Sequence, residues 1–340
     1  MNIIVQKYGG TSVENKEKLE TICKKIISYK KKNVNLVIVV SAMGKATDTL
    51  LSKAKQFSKT PSKRELDLLL MTGELQTVAL LSMMLNDKGY KTVGLTGEQA
   101  GIISDSNFGC AKIKSVYTNS VLNYLTEGYI VVVAGFQAVD RFGNITTLGR
   151  GGSDLSAVAL ASALNAKCCE IYSDIDGVFS ADPKVISKAK LLKKISYNEM
   201  LEAASAGAKV LHNRSVHLGK KNNMRIYVKN SQNNKKGTVI EKEENDSRLL
   251  LQKDDDFESY KVKFITKKDD ISKISIIGDM VMTNKDTVHK IFDLASKEQV
   301  TIYMITFSEL SLNLIVDSSI AEEFMKKLHY ELIEKEYTKK

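Results

Sequence analysis

The sequence predicts an α/β protein with a layered domain built on a mostly parallel sheet, followed by a small ferredoxin-like domain. Apolar runs alternate with helical patterns over about the first 230 residues, which is the order of strands joined by crossover helices. A polar, charge-rich stretch at 230–256 interrupts this pattern. The residues after it follow the order βαββαβ, which is typical of a ferredoxin-like sandwich.

The predicted elements of the large domain begin with a strand at 2–7, which leads through Gly9 and Gly10 to a helix. The run at 34–40 is continuously apolar, as in a central parallel strand buried on both faces, and a loop at 41–44 follows it. Open α/β sheets bind ligands at the carboxyl ends of such strands. Later elements are a helix at 63–86, strands at 91–95 and 129–134, a hairpin around Gly143, a helix at 153–164 and a strand at 168–173.

The small domain is predicted from a second series of patterns. Its elements are strands at 271–277, 300–306 and 311–316, helices at 286–297 and 321–328, and a last strand at 330–333. We predict a large domain at 1–240, a linker at 241–260 and a small domain at 261–340. The segment 238–240 is predicted to be an edge strand of the large domain.

The length and the charge of the chain limit the classes of protein to which it can belong. A chain of 340 residues, 43% of them hydrophobic, is long enough for two buried cores. The formal net charge is +10, but only six of the 50 basic residues are arginine, and no aromatic-interleaved basic stripe appears. We therefore interpret the charge as a solvated, lysine-rich surface and expect no nucleic-acid partner.

The cysteines and histidines do not predict a metal site. Cys23, Cys110, Cys168 and Cys169 have no C-x-x-C spacing, and no two histidines form an H-x-x-x-H pair. The apolar start at 1–5 is too short for a signal peptide or a membrane span. These features predict a reduced, cytoplasmic protein without a membrane partner.

Two glycine-rich turns, at 7–12 and 149–154, are the strongest candidates for a ligand site. Each precedes a helical pattern and carries one basic residue beside amides that no side chain blocks. Glycine has no Cβ, and a helix start leaves its first N–H donors unpaired, so such turns can hold an anion. We interpret them as the two sides of a phosphate-transfer site.

These turns belong to an ordered series of motifs by which the chain resembles the aspartokinases. The motifs are K-Y-G-G-T-S (7–12), V-V-S-A-M-G (39–44), T-G-E (72–74), G-F-Q (135–137), T-T-L-G-R-G-G-S-D (146–154), S-D-I-D-G-V-F-S-A-D-P-K (173–184) and G-A-K-V-L-H (207–212). The resemblance implies a three-layer αβα sandwich of the amino-acid kinase fold. It also implies ATP-dependent phosphorylation of the L-aspartate side chain to 4-phospho-L-aspartate, the first step of lysine, threonine, methionine and diaminopimelate biosynthesis.

The chemistry of that reaction accounts for the residue types. An aspartate side chain has a pKa of about 3.9, so the nucleophile is already ionised at neutral pH and needs no general base. The obstacle is repulsion between its carboxylate and the phosphates of ATP. The site must therefore supply positive charge, amide donors, Mg²⁺ and alignment. We expect ATP with Mg²⁺ and L-aspartate as ligands.

The resemblance also assigns roles to single residues. The catalytic set is Lys7, Asp154 and Lys209, with both lysines against the nucleotide phosphates. Arg150 is expected to bind a substrate carboxylate through two parallel hydrogen bonds, and Glu74 to receive the substrate ammonium. The substrate-binding set is Ser41, Thr47, Glu74, Arg150, Gly151, Gly152 and Ser153. The ATP-binding set is Gly9, Gly10, Thr11, Ser12, Ser173, Asp174, Phe179, Asp182, Lys184 and Val210.

Four positions depart from the usual family pattern. Phe179 replaces Tyr, Lys184 replaces Arg, Asn213 replaces Pro after G-A-K-V-L-H, and Ala138 follows G-F-Q where glycine is frequent. None of these removes a charge from the reaction centre. Phe179 keeps a surface that can pack against adenosine but cannot donate an O–H hydrogen bond.

The C-terminal residues resemble a single ACT domain, whereas most relatives carry two. The stretch M-I-T-F-S-E-L-S-L-N-L-I-V-D (304–317) is similar to a family strand pair, but the loop at 282–286 lacks the usual Pro-Gly. We expect weak or absent feedback inhibition and a domain that mainly supports a homodimer, with a higher homo-oligomer as the alternative.

Three functional hypotheses remain open at this point. The first is an active aspartate kinase. The second is a catalytically silent paralogue that senses amino acids through its ACT domain, and the third is an amino-acid kinase with another acidic acceptor. The charge set argues against silence; it comprises Lys7, Arg150, Asp154, Asp174 and Lys209. Glu74 together with the 149–154 turn favours aspartate as the acceptor.

Overall fold

The computed structural model describes residues 1–206, 208, 210–242, 265–266, 268–278, 285–308 and 310–335. The chain divides into two compact units, 1–266 and 267–340. The predicted linker at 241–260 lies almost entirely outside the described residues, so the predicted domain boundaries stay a prediction.

The first unit alternates strands and helices along the chain, as predicted. Its strands are β1 (Ile3–Tyr8), β2 (Asn35–Val40), β3 (Thr92–Leu95), β4 (Ile102–Ser104), β5 (Ile113–Val116), β6 (Ile130–Ala134), β7 (Gln137–Val139), β8 (Ile145–Thr147), β9 (Cys168–Ser173), β10 (Lys194–Ser196), β11 (Ile226–Asn230) and β12 (Thr238–Glu241). Its helices are α1 (Lys16–Lys30), α2 (Ala46–Phe57), α3 (Lys63–Asp87), α4 (Asn119–Thr126), α5 (Gly152–Ala163), α6 (Tyr197–Ser205) and α7 (Asn213–Lys221).

The central sheet has eight strands in the order β10-β12-β11-β9-β1-β2-β6-β3. Strand β1 runs parallel to both β2 and β9, and Tyr8 lies opposite Val40 on one side and Tyr172 on the other. Strand β6 runs parallel to β2 with Ala134 opposite Val40. The carboxyl ends of these four strands are therefore level, and the loops that follow them meet at one edge of the sheet.

Helices cover both faces of this sheet, which confirms the three-layer prediction. Helices α1 and α3 pack on one face through buried side chains such as Ile22 and Leu81. Helix α5 packs on the other face, where its alanines allow a close approach to the strands; Ala157 and Ala161 are fully buried. All residues of β6 are buried because both faces are covered.

A smaller sheet, in the order β5-β4-β7-β8, lies beside the central one. Its strands β7 and β8 form the predicted hairpin around Gly143, with Gln137 opposite Thr147. The hairpin returns the chain to the carboxyl edge of the central sheet, where the turn before α5 begins. The hairpin that precedes this turn was therefore predicted from the sequence.

The segment predicted as an edge strand, 238–240, occupies an inner position in the sheet. Strand β12 pairs antiparallel with β11 and parallel with β10, which is the outermost strand. The prediction was wrong because β10 is only three residues long, from Lys194 to Ser196, and carries no pattern of its own.

Helix α3 is the one described helix that is long and apolar enough to cross a membrane, with a mean hydropathy of 1.6 over its most apolar 18 residues. Half of this 18-residue stretch is buried inside the first unit. Its buried residues Val78, Leu81 and Leu85 pack on the sheet, as in a core helix.

The second unit has a three-stranded antiparallel sheet in the order β13-β15-β14. Its elements are β13 (Ile271–Ile277), α8 (Lys285–Lys297), β14 (Met304–Phe307), β15 (Ser311–Asp317) and α9 (Ser318–His329). The predicted last strand at 330–333 is wrong, because Tyr330–Glu334 forms a helical turn that continues α9. Leu332 packs against the same core as Leu328, four residues earlier, which is helical spacing.

Candidate active site

The two predicted glycine turns meet through an ion pair. The ammonium Nζ of Lys7, near the end of β1, lies 2.6 Å from Oδ1 of Asp154, in the first turn of α5. The two side chains are only 12% and 13% exposed, so solvent screens the pair weakly. The start of a helix also stabilises a carboxylate. A cationic group and its counter-ion are thus held together at the carboxyl edge of the sheet.

The second turn requires glycine for both conformation and space. Gly149 and Gly151 have positive φ values of 75° and 70°, which disfavour other residues. A Cβ on Gly151 would lie 2.4 Å from the Cβ of His212, and one on Gly152 would lie 2.9 Å from the ring of Phe136. The backbone of this turn therefore packs directly against two neighbouring segments.

The first turn packs against the loop that follows β2. The amide of Gly44 donates a hydrogen bond to the carbonyl of Gly10 at 3.0 Å. A Cβ on Gly10 would lie 2.8 Å from the carbonyl oxygen of Ala42, so only glycine fits there. The same loop contains Ser41, whose amide donates to the carbonyl of Tyr8 at 3.1 Å.

Glu74 presents a buried carboxylate beside this loop. It lies on α3, is 3% exposed, and its Oε1 accepts a hydrogen bond from the Ala42 amide at 3.1 Å. Its Oε2 is buried and has no hydrogen-bond partner among the described residues. Burial raises the pKa of Glu74 to about 7. An incoming cation would satisfy the second oxygen and restore the ionised form.

Asp67 anchors the strand that leads into the second turn, a role the sequence did not reveal. This carboxylate is 1% exposed and accepts three hydrogen bonds. The donors are the Thr147 amide at 2.8 Å, the Thr147 hydroxyl at 2.7 Å and the Gly109 amide at 2.9 Å. Asp67 therefore fixes the end of β8 two residues before Gly149.

Arg214 holds the same segment from α7. Its Nη1 donates to the carbonyl of Leu148, and its Nη2 donates to the carbonyl of Ala111 at 2.7 Å. The Ala111 amide in turn donates to the carbonyl of Thr147 at 2.8 Å. Asp67 on α3 contacts Thr147, and Arg214 on α7 contacts Leu148. Side chains from two helices therefore hold the residues that lead into the second glycine turn.

A cleft of about 360 Å³ opens beside the ion pair. It is lined by Gly151, Asp154, Ala204, Ala208, Val210, Leu211, His212 and Asn213. The cleft joins the second glycine turn to the segment before α7, and its lining includes no residue of the first turn. Lys209 and Gly207 lie outside the described residues, so the role of Lys209 stays a prediction.

The predicted nucleotide loop begins next to the first turn. Gly9 donates its amide to the carbonyl of Tyr172, one residue before Ser173, at 3.2 Å. The carboxylate of Asp176 accepts hydrogen bonds from the side-chain amides of Asn230 and Asn233 at 2.9 and 2.8 Å. An ion pair with Lys235 joins them, and together these contacts lower the pKa of Asp176. The start of the loop is therefore fixed to the 230–235 segment, while Asp174 is exposed.

The far part of this loop makes local contacts. Phe179 pairs with Leu191 across a single β-bridge. The amide of Lys184 donates to Oδ1 of Asp182 at 2.9 Å, and both side chains are exposed. The contacts described for Asp182 and Lys184 do not join them to the Lys7–Asp154 pair.

The remaining predicted residues lie on the same rim. Arg150 is exposed, and its charge lowers the pKa of His212 together with burial and Arg214. Ser153 is 8% exposed and lies against Gly135. Thr47 lies in the first turn of α2; Thr11 and Ser12 belong to a short 3₁₀ turn after β1.

The described residues contain no group of three or more His, Cys, Asp or Glu side chains that could hold a metal ion. Mg²⁺ does not require such a cage, because it commonly binds one or two carboxylates together with substrate phosphates. The carboxylate at the cleft is Asp154. The donor set therefore fits a magnesium ion that arrives on a phosphate ligand.

Comparisons with known proteins agree with this geometry. The sequence model of the amino acid kinase family matches residues 2–230, and that of the ACT domain matches residues 274–332. The aspartokinase of Geobacillus stearothermophilus is 36% identical, over 97% of this chain and 97% of that protein. The aspartokinase of Bacillus sp. strain MGA3 is 43% identical, over 99% of this chain and 82% of that protein.

Solved structures confirm the predicted fold. Aspartate kinase from Synechocystis is 30% identical with a TM-score of 0.66, covering 97% of this chain and 69% of that one. Aspartokinase III of E. coli, solved with aspartate and ADP, superposes with a TM-score of 0.76 at 23% identity, covering 97% of this chain and 83% of that one. The chain thus belongs to the amino acid kinase family and, within it, to the aspartokinases.

Proposed function

We propose that this protein transfers the γ-phosphoryl group of ATP to the side-chain carboxylate of L-aspartate. The observation that carries the proposal is the ion pair between Lys7 and Asp154 at 2.6 Å, which joins the two predicted glycine turns beside a cleft that Asp154 lines. Membership of the aspartokinases supports the same reaction. The product, 4-phospho-L-aspartate, is the first intermediate towards lysine, threonine, methionine and diaminopimelate.

The transfer needs no proton to move. An oxygen of the aspartate carboxylate attacks the γ-phosphorus, and the bond from phosphorus to the β,γ-bridging oxygen breaks with its electron pair left on ADP. Lys7 stays protonated and offsets the negative charge on the transferred group. Asp154 holds the Lys7 ammonium in place and limits its motion.

Aspartate would be held at its two other charged groups. The unpartnered Oε2 of Glu74 supports a role in binding the substrate ammonium. Arg150 follows Gly149 and is exposed at the rim, where its planar guanidinium could bind a carboxylate through two hydrogen bonds. The amides of Gly151 and Ser153, at the start of α5, would bind the same anionic substrate, while the Gly152 amide donates to the carbonyl of Gly149.

ATP would lie against the first turn and the loop after β9, with its phosphates towards the Lys7–Asp154 pair. The E. coli relative was solved with ADP, which supports a nucleotide ligand here. Asp174 is assigned to the ribose, Phe179 to the adenosine, and Lys184 and Lys209 to the phosphates. Bound Mg²⁺ would neutralise phosphate charge, with Asp154 as the carboxylate available at the cleft.

The cellular setting is also part of the proposal. All four cysteines are free thiols, and three of them are buried, which supports the expected reducing cytoplasm. The second unit matches one ACT domain, to which we assign dimerisation. We place the boundaries of the kinase domain at 1–240 and of the ACT domain at 261–340.

A hydroxylamine-trapping assay tests the acceptor. Purified protein with Mg-ATP and hydroxylamine should form aspartyl hydroxamate from L-aspartate, and much less product from L-glutamate or N-acetylglutamate. A preference for L-glutamate or N-acetylglutamate would identify the protein as an amino-acid kinase with another acidic acceptor. Binding of amino acids without any ADP formation would favour the silent sensor, which the intact ion pair argues against.

A further inference from the structure

His212 lies where the two sides of the cleft meet. A Cβ on Gly151 would lie 2.4 Å from the Cβ of His212, so the histidine directly adjoins the second glycine turn. Its side chain lines the cleft together with Asp154 and Val210. We propose that His212 is a catalytic hydrogen-bond donor that binds the phosphoryl group in transit through its Nε2–H. This inference rests on the proposed function.

The orientation of the ring follows from the helix that it caps. His212 is the N-cap of α7, and its Nδ1 accepts a hydrogen bond from the Arg214 amide at 3.3 Å. A neutral imidazole has one acceptor and one donor nitrogen, so an accepting Nδ1 places the proton on Nε2. No other hydrogen bond of this ring occurs among the described residues. Because the cap uses Nδ1, the Nε2–H group can donate a hydrogen bond to a ligand in the cleft.

The surroundings of the ring favour its neutral form. His212 is an exposed residue, but partial burial of its ring, the guanidinium of Arg214 and that of Arg150 lower its pKa, while Asp154 opposes them. These groups come from α7, the second glycine turn and α5. A neutral ring combines an accepting Nδ1, which the cap needs, with a donating Nε2.

The lining of the cleft explains which ligand would meet this donor. Asp154 and Gly151 belong to the turn assigned to aspartate, and Ala208 and Val210 to the segment assigned to the nucleotide. A group that passes between the two substrates would cross the space that His212 faces. That group is the phosphoryl in transit, whose oxygens accept hydrogen bonds.

The donor keeps its proton throughout. The oxygen–phosphorus bond to aspartate forms as the bond to ADP breaks, and the imidazole only strengthens a hydrogen bond to a phosphoryl oxygen. A preorganised donor of this kind changes kcat more than substrate affinity. The removal of one such donor commonly lowers kcat by about 100-fold or more.

Two substitutions separate this role from helix capping. His212→Asn keeps an acceptor near Nδ1, and asparagine is a favourable N-cap, but it has no atom at the position of Nε2. His212→Gln places an amide N–H near Nε2 and weakens the cap. We expect His212→Asn to melt like the parent and to lose about 100-fold in kcat with KM values within about twofold. His212→Gln should melt lower and keep kcat within about tenfold of the parent.

Two results would overturn the inference. One is a kcat of His212→Asn equal to that of the parent. The other is a decrease in kcat that parallels the decrease in melting temperature in both His212→Asn and His212→Gln. His212→Ser, which also keeps a cap and lacks the donor, replaces His212→Asn if the latter does not fold.

A binding measurement separates this inference from the proposed function. The parent protein must first be shown to form ADP when aspartate is present. If it does not, the proposed function fails together with this inference. The second readout is the affinity of Mg-ADP with aluminium fluoride and aspartate, a mimic of the phosphoryl in transit. His212→Asn should weaken this complex by the same factor as kcat, while its affinity for Mg-ADP alone stays unchanged. Equal binding of the mimic by variant and parent would contradict the role of His212.

Discussion

The Nζ of Lys7 lies 2.6 Å from Oδ1 of Asp154, although the two residues belong to a strand and a helix separated by most of the first unit. The level carboxyl ends of β1, β2 and β9 bring the first glycine turn to the edge where α5 begins. The pair therefore depends on the parallel sheet and on both turns. In the proposed reaction, the same ammonium neutralises the phosphoryl group.

The first prediction concerns Lys7→Ala. Loss of the ammonium should lower kcat by about 10²–10³-fold, because its charge acts most on the transition state. Steady-state kinetics and circular dichroism would measure activity and folding. Lys24→Ala, at an exposed position of α1, is the matched control and should behave like the parent. A kcat within threefold of the parent would contradict the assignment of Lys7.

The second prediction follows from the raised pKa of Glu74. Binding of the substrate ammonium needs the ionised carboxylate, and burial places its pKa at about 7. The kcat/KM for aspartate should therefore rise about fivefold from pH 6 to pH 7 and about tenfold in all by pH 8, where it levels off. In Glu74→Gln, kcat/KM should be lower and this ascending limb absent. A limb that persists in the variant would assign the titration to another group.

The same shift predicts a contribution to stability with the opposite pH dependence. The folded-state pKa of Glu74 is raised above its ordinary value of 4.5, so the folded state binds the proton more tightly. This contribution is fully present below pH 4.5 and is lost as the pH rises through about 7. Across this range the parent should lose about 3 kcal/mol more free energy of unfolding than Glu74→Gln in urea titrations. Parallel profiles for both proteins would contradict the shift.

The third prediction concerns Arg150→Lys. A lysine keeps the charge but cannot form two parallel hydrogen bonds to a carboxylate, so the KM for aspartate should rise about tenfold with little change in the KM for ATP. Arg141→Lys is the control, because Arg141 is exposed and stacks on Phe142. An unchanged KM for aspartate in Arg150→Lys would contradict the assignment.

The fourth prediction tests the anchor at Asp67. Asp67→Asn removes the negative charge that binds all three donors and leaves only one oxygen to accept from both amides, so we expect the free energy of unfolding to fall by about 2 kcal/mol. The KM for aspartate should rise as well, because β8 leads into the turn that carries Arg150. Asp87→Asn, at the exposed end of α3, should change neither quantity. Parental stability of Asp67→Asn would show that its three hydrogen bonds do not hold the turn.

The fifth prediction concerns the second unit. The chain matches one ACT domain, and the first part of the predicted loop at 282–286, which lacks the usual Pro-Gly, lies outside the described residues. Isothermal titration with lysine, threonine and methionine should show no micromolar binding. Sedimentation equilibrium should show a dimer that a protein truncated after 242 does not form. Micromolar binding of any of these amino acids would refute the loss of feedback control.

The sequence predicted those parts of the site that repeat a local pattern. A charged Lys7 at the end of an apolar run, followed by two glycines, has few structural explanations other than a ligand edge. Asp154 could be predicted because it closes a glycine turn before an alanine-rich helix. Both residues lie where these patterns placed them.

Residues that act through distant partners could not be predicted in this way. Asp67 and Arg214 carry no local signal, since each contacts backbone atoms that are at least 40 residues away in the chain. His212 ended a recognised motif, but its contact with Gly151 depends on how α7 packs beside α5. The helical turn at Tyr330–Glu334 was missed because short apolar runs fit a strand and a helix equally well.

The most direct test is a crystal structure of the protein with a non-hydrolysable ATP analogue, Mg²⁺ and L-aspartate. The account predicts both substrates in one cleft, with the γ-phosphate at hydrogen-bond distance from Lys7 and a carboxylate of aspartate bound by Arg150. Lys7 and Arg150 facing separate cavities, with no common pocket between the two ligands, would contradict it.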